Sequence, residues 1–420
     1  MAITILTTTI IMMAVAEGIL ASGIFWLRHS CPWLIVGRDA HPRLDPKGLA
    51  SFIEHGWDPE LGWIRKPNSL GTEKGKDNAE ISYRIGPSGA RFNPGFENQP
   101  AEILVYGDSY AFARQVNDDE TWVNYLSHKL GINIGNYGVG NYGFDQALLR
   151  LEREFADHPA SVVIMCVVPE TMSRIHAYWK HYSEYGNTFA FKPRFVLAEG
   201  ELHIKPNLIN NVAEFNRLNI HLPKLSASDY FYDTKFKRDI LSFPFCLSIF
   251  RNFKRTLPLM WAAFTDRIGR TRDAAFIKIM RRNIDMNCSL YHQPESKALF
   301  EALVQRFSTF CNERDAKPVL LMVPQHMDIE HIKNGDHYYS TFLQDVSEQV
   351  TVVDAASALL DTTEMNTLFI NDKYGGHLSA AGNMLIARMM APVCQGLIEE
   401  TTAPKWGSNP KSGQHKKPLT

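Results

Sequence analysis

The groups in this sequence best placed to do chemistry are a serine, a histidine and a glycine-rich turn, each set just beyond a run of apolar residues. The serine is Ser109, in ILVYGDSYAF (residues 103–112). A hydroxyl is a weak nucleophile until a base takes its proton, and attack on a carbonyl creates an oxyanion that needs hydrogen-bond donors. A base stands near the other end of the chain, where NDKYGGHLSAAGN (371–383) sets His377 in a glycine-rich loop before the helix-like SAAGNMLIARMMAPV. Asp372, five residues earlier, is able to orient the imidazole and stabilise its cation, as the acid of a triad does. Donors come from NYGVGNYGFDQ (136–146), where glycines let the backbone approach a ligand closely and the amides of Gly140 and Asn141 are best placed.

These groups need elements to position them. The run Ile103–Tyr106, bounded by turn residues and followed by TWVNYLSHKL, reads as a buried parallel strand feeding a helix. Ser109 then falls on the first turn after the strand's carboxyl end, the edge of an open α/β sheet where ligands bind. Further strands are expected at 132–135, 162–168, 318–323 and 350–354, with FDQALLRLEREFA as a helix between the second and third. Strands alternating with helices imply a parallel, doubly wound sheet. About 150 residues separate the third strand from the fourth, far more than one crossover helix requires, so that interval holds an insertion. Its middle, 229–282, carries 12 Lys/Arg against 5 Asp and many aromatics. It reads either as a helical cap with solvated charged faces or as a surface for anionic lipid or an acidic polymer.

The totals exclude several classes. Lys+Arg 44 against Asp+Glu 45 in 420 residues leaves no basic field for nucleic acid. Six widely spaced cysteines show no metal-like or CxxC spacing, and Cys166 and Cys394 read as reduced core thiols. His326, His331 and His337 lack partners at ligand spacing, so neither metal nor cofactor is expected. Asp108 reads as a tie for its turn through backbone N–H groups, and Asp354, ending the fifth strand, as a second candidate partner for the histidine.

From Ile3 to Leu27 the only charge is Glu17, and such a helix spans about 37 Å, enough to cross a bilayer with tilt. No Lys or Arg precedes the run and no small-residue cleavage site ends it, which favours an uncleaved anchor over a signal peptide. Arg28, Arg38, Arg43 and Lys47 all follow it, so the positive-inside rule favours a cytoplasmic body, while the face stays open.

Taken in order, the blocks resemble those of the SGNH/GDSL hydrolases. Gly107-Asp108-Ser109 is similar to that family's first block, Asn136 to Gly143 to its second, and His377-Leu378-Ser379 with Gly382 to its last. DPELGW, DDETW and GVGNYGFDQ further resemble bacterial members with an N-terminal membrane segment, often associated with cell-surface polysaccharide. The resemblance implies a three-layer flavodoxin-like sheet with a helical insertion between its third and fourth strands. It also implies cofactor-free esterase, lipase or O-acyltransferase chemistry on an acylated glycan or a lipid ester. Two positions depart from the pattern. Where the third block supplies an asparagine to the oxyanion hole, this chain has Glu170 and Thr171, of which Thr171 is the donor. The acid two or three residues before the histidine is replaced by Gly375 and Tyr374, leaving Asp372 as the third member or a backbone carbonyl to orient the ring. These departures motivate an alternative, a catalytically degenerate protein that binds glycan or a partner in the old cleft. The expected organisation is an anchor (1–30), an irregular lead-in (31–100), a hydrolase-like domain (101–400) with an insertion at about 176–295, and a disordered tail (401–420).

Overall fold

The computed structural model describes residues 1–362, 365–370 and 376–402. Five strands form its central sheet: β1 (Ala101–Gly107), β2 (Asn133–Asn136), β3 (Val162–Val167), β4 (Lys317–Met322) and β5 (Thr351–Asp354). All pair in parallel, in the order β5-β4-β3-β1-β2. The expected strands are therefore present, each within a residue or two of its expected bounds. This is the flavodoxin-like order, and the chain reverses its direction of winding between β1 and β3.

Side-chain alternation explains why the sheet is covered on both faces. Leu104, Tyr106, Val163, Met165, Leu320 and Met322 point into one core, packed against helices Phe144–Glu154 and Pro294–Asn312. Ile103, Val105, Ile164, Cys166, Val319 and Leu321 point into the other, against Trp122–Leu130 and Ala380–Thr402. With both faces buried, the central strand β3 is apolar at every position and buried throughout. The Trp122–Leu130 helix is bounded by its own sequence. Thr121 accepts from the Asn124 N–H at its start, and Gly131 at φ 71° supplies the left-handed stop. All six cysteines are free.

The lead-in is more ordered than an irregular stretch. It contains a helix (Pro46–His55) capped by Asp45 and an antiparallel hairpin (Leu70–Lys74 with Glu80–Arg84). The insertion likewise carries a hairpin, Arg194–Ala198 with Glu201–Lys205, besides helices Phe245–Arg251, Phe253–Arg267 and Ala274–Tyr291. The N-terminal helix, Ala2–Arg28, is long and apolar enough to cross a membrane by length and composition. Most of it stands exposed, while Ile24 and Leu27 are packed among insertion residues such as Phe245 and Leu259. The acid in its middle has a structural role: the Glu17 carboxylate accepts from the N–H groups of Phe245 and Cys246, at the start of an insertion helix. Residues 403–420, the bulk of the expected disordered tail, lie outside the described residues.

Candidate active site

The turn after β1 is shaped by two residues before the serine. Gly107 has φ 145°, and a Cβ there would fall 1.8 Å from the Cys166 carbonyl oxygen, so only glycine lets β1 and β3 converge at this point. Asp108 is fully buried and accepts from the N–H of Tyr110 at 2.8 Å, from the N–H of Val168 at 2.9 Å and from Arg174 at 3.1 Å. Burial pushes its carboxyl above the usual range, opposed by Arg174 and by the two amides. Asp108 thus ties the ends of β1 and β3 together beneath the cleft and takes no part in it. Ser109 is carried over the switch point between those strands.

His377 reaches the serine from the far end of the chain. Its Nε2 lies 3.0 Å from Ser109 Oγ. The loop that carries it is fastened to the serine's own turn, because the Tyr110 hydroxyl donates to the Gly376 carbonyl and the two rings lie 5.2 Å apart. On its other side, His377 Nδ1 is 2.7 Å from Gln115 Oε1. The amide's orientation is settled by its nitrogen, which donates to the Lys74 carbonyl at 2.9 Å and so turns the oxygen toward the ring. Nδ1 is then the protonated nitrogen, and the lone pair of Nε2 faces the serine hydroxyl.

Gln115 was not among the residues singled out from sequence, and the loop that carries it is organised by the lead-in. Buried Arg91 donates to the carbonyls of Phe112, Ala113 and Val116 and pairs with Asp118, while Arg114 pairs with Glu73 on the hairpin. No motif in the sequence announced this. Asp372, the expected third member, lies outside the described residues. Asp354 is turned elsewhere: it accepts from the Ala356 N–H and pairs with His337 at 3.0 Å.

The oxyanion donors divide. Gly140 borders the serine, since a Cβ built on it would lie 4.0 Å from Ser109 Cβ. Its carbonyl accepts from Trp63 Nε1 at 3.0 Å, which fixes the peptide plane and points the Asn141 N–H the opposite way. Among the described residues nothing accepts from the backbone N–H of Ser109, Gly140 or Asn141. Thr171 corrects its expectation. It is fully buried, its hydroxyl accepts from the Phe144 N–H at 2.8 Å, and it does not line the cleft. That hydroxyl is engaged instead by the first N–H of the Phe144–Glu154 helix.

Glu170 does line the cleft, held against Arg174. Burial pulls the Arg174 guanidinium down, but Glu170 and Asp108 outweigh it and hold the group above its ordinary value. The cleft measures about 270 Å³ and is walled by Ser109, His377 and Asn141 on the sheet side, by Trp33 and Ile35 after the N-terminal helix, and by insertion residues including Phe276. Lys235 enters it from the insertion, and burial, with Arg255 nearby, pushes its ammonium down to about 8. Between pH 8 and 10.5 the unfolded chain therefore binds more protons than the native one, and stability rises with pH across that window. In thermal melts in detergent, Lys235→Met is expected to lack this rise, by about 3 kcal/mol; an identical pH dependence in both proteins would remove the burial cost assigned to Lys235.

The histidine trio that looked metal-like disperses among separate carboxylates: His326 lies 3.8 Å from Glu330, His331 3.6 Å from Asp336, and His337 beside Asp354. A different trio, Cys288, His331 and Asp336, brings its ligand atoms within 4.8 Å of one another, but none of the three lines the cleft. Burial and the nearby carboxylates push the Cys288 thiol up to about 12.

No family model matches the chain, and no curated protein matches it. Several solved structures do. The psychrotrophic esterase EstA from Pseudoalteromonas sp. is 13% identical, covering 71% of this chain and 98% of its own, with a TM-score of 0.32. The lipase/acylhydrolase from Enterococcus faecalis is 11% identical over 70% of this chain and 96% of its own, with a TM-score of 0.31. A catalytic variant of Axe2, an acetylxylan esterase from Geobacillus stearothermophilus, is 13% identical over 74% and 99%, with a TM-score of 0.31. Superpositions this loose leave the chemistry to be argued from the chain's own residues.

Proposed function

We propose that the chain is a serine-dependent ester hydrolase of the SGNH/GDSL type, held at a membrane by its N-terminal helix. The observation that carries this is the Ser109–His377 contact at 3.0 Å, at the switch point of the sheet and beside backbone N–H groups from which no described residue accepts. His377 Nε2 takes the hydroxyl proton as Ser109 Oγ attacks the ester carbonyl. The oxyanion forms between the N–H of Ser109 and those of Gly140 and Asn141. His377 then gives its proton to the departing alkoxide, leaving an acyl-enzyme. Water resolves it in a hydrolase, and a sugar hydroxyl in an O-acyltransferase. An acylated glycan or a lipid ester is the substrate class, and Asp372, five residues before His377, is the candidate acid despite its departure from the family's spacing.

The test is intact-mass spectrometry of the full chain after treatment with a fluorophosphonate. One adduct on the parent, lost in Ser109→Ala, supports the reading; a folded parent with no adduct overturns it. Glu170 favours a second reading, the degenerate binding protein, because a carboxylate stands in the cleft where the family pattern puts a neutral amide. That protein has no need of a reactive serine, so the same experiment separates the two.

Gln115 enters this mechanism as a positioning residue. Gln115→Leu is expected to lower kcat by about 10- to 100-fold, the worth of one orienting hydrogen bond to a group that becomes charged, with KM unchanged. A matching rise in KM, or a parent-like kcat, would assign Gln115 to packing.

A further inference from the structure

The helix Phe253–Arg267 is apolar on two faces. Thr256, Leu259, Ala262 and Ala263 are buried, the last three against Leu27, Cys31 and Leu34, at the foot of the N-terminal helix. On the other side Phe253, Leu257, Trp261, Phe264 and Ile268 recur every three or four residues along one exposed stripe, with Trp261 64% exposed. Phe250, 75% exposed, extends the stripe onto the preceding helix, Phe245–Arg251. A soluble helix spends one apolar stripe on its core and leaves the other face polar, so the second stripe calls for a cover.

Its surroundings identify that cover. The stripe runs without interruption into the N-terminal helix: the Trp26 and Phe264 rings lie 6.3 Å apart and those of Phe25 and Phe245 6.5 Å. Exposed Arg251, Lys254, Arg267, Arg270 and Arg272 border it. Of the nearby acids, Asp266 is engaged by the N–H groups of Ala274 and Ala275, and Asp273 lies beside Arg272. An aromatic stripe edged by arginine and lysine, beside a helix long enough to span, has the composition of an element lying in the headgroup region.

We infer that the helix pair Phe245–Arg251 and Phe253–Arg267 is a second membrane contact, lying on an anionic bilayer beside the N-terminal span. This rests on the reading of residues 2–28 as an anchor. It has a consequence for the cleft, because Ala274–Tyr291 packs on the docked helix and contributes Phe276, Ile279 and Met280 to the cleft wall. The active site is thereby held at the bilayer surface, where it meets esters that are themselves membrane-bound.

The test reconstitutes the full chain in phosphatidylcholine vesicles containing phosphatidylglycerol and a photoactivatable phospholipid, and maps the adducts by mass spectrometry. Adducts are expected on 2–28 and again on 250–268. Leu257→Glu with Trp261→Glu, both at exposed positions, is expected to cut the second set by roughly tenfold or more, since each carboxylate opposes entry into lipid. The first set and the melting temperature should stay at parental values, which shows that the variant folds. In phosphatidylcholine alone the second set should fall several-fold. Adducts on 2–28 alone, or a double variant labelled like the parent, overturn the docking while the anchor stands, and give the stripe to a second copy or a protein partner. Adducts on neither stretch overturn the anchor, and the docking with it. Equal labelling of 250–268 in neutral and anionic vesicles overturns the part assigned to the basic residues.

Discussion

Ser109→Ala is expected to lower turnover of a short acyl ester by roughly 10⁴- to 10⁶-fold, and His377→Ala by a similar factor. Each removes one half of a single proton-transfer unit: without the hydroxyl there is no nucleophile, and without Nε2 its proton has nowhere to go. The double variant should therefore be no slower than the worse of the two singles, because groups acting as a unit do not lose rate additively. Ser109→Ala is a small cut, so its melting temperature should stay near that of the parent, while His377→Ala also gives up contacts with Gln115 and Tyr110 and should melt somewhat lower but remain folded. The check is initial rates on a soluble acetyl ester, with each preparation's folded fraction fixed by its melt. A parent-like rate in either single variant sinks the catalytic assignment, and additive losses in the double would mean that the two residues act on separate steps.

How far the site was legible in the sequence follows from how its parts are held. Strands with both faces buried write their burial into every position, so β1, β3 and β4 could be read from apolar runs alone, and with them the place of Ser109. His377 was found because glycines mark a loop before a helix. Gln115 was invisible for the opposite reason. It sits at φ 68° in a loop whose path is fixed by Arg91 and by the Leu70–Lys74 hairpin, contacts distant in sequence and without periodicity. Trp63 is an intermediate case: DPELGW could be noticed as a pattern, but only the fold shows its indole holding the Gly140 carbonyl. Thr171 failed as a donor because position after a strand does not say which way a hydroxyl points, and a helix start nearby claimed it. The insertion's two apolar faces could be counted from sequence, yet which of them is covered depends on where the N-terminal helix packs.

The second large effect concerns a residue that does no chemistry. Asp108→Ala removes the acceptor for Arg174 and for the N–H groups of Tyr110 and Val168 in one step, all of them buried. Two buried N–H groups then lack an acceptor, at about 1–3 kcal/mol each, while Arg174 keeps Glu170 and the Tyr142 carbonyl; for a chain of this size the loss corresponds to a fall in melting temperature of roughly 5 °C. Activity should fall as well, because the turn that aims Ser109 at His377 loses its tie to β3. Asp108→Asn should recover little, since its NH₂ would face either Arg174 or a backbone N–H, donor against donor. Removing both charges is the informative case: Asp108→Ala with Arg174→Met removes a guanidinium that has lost one of its two carboxylates, and only the part of the loss that came from that ion pair should return. Glu170 limits that recovery, for it too is held by Arg174, but it borders the cleft and can turn to solvent. Thermal melts of the three variants and the parent in detergent decide the matter. An Asp108→Ala protein as stable as the parent would mean that the Arg174 network forms without it, and the turn beneath Ser109 would need another support.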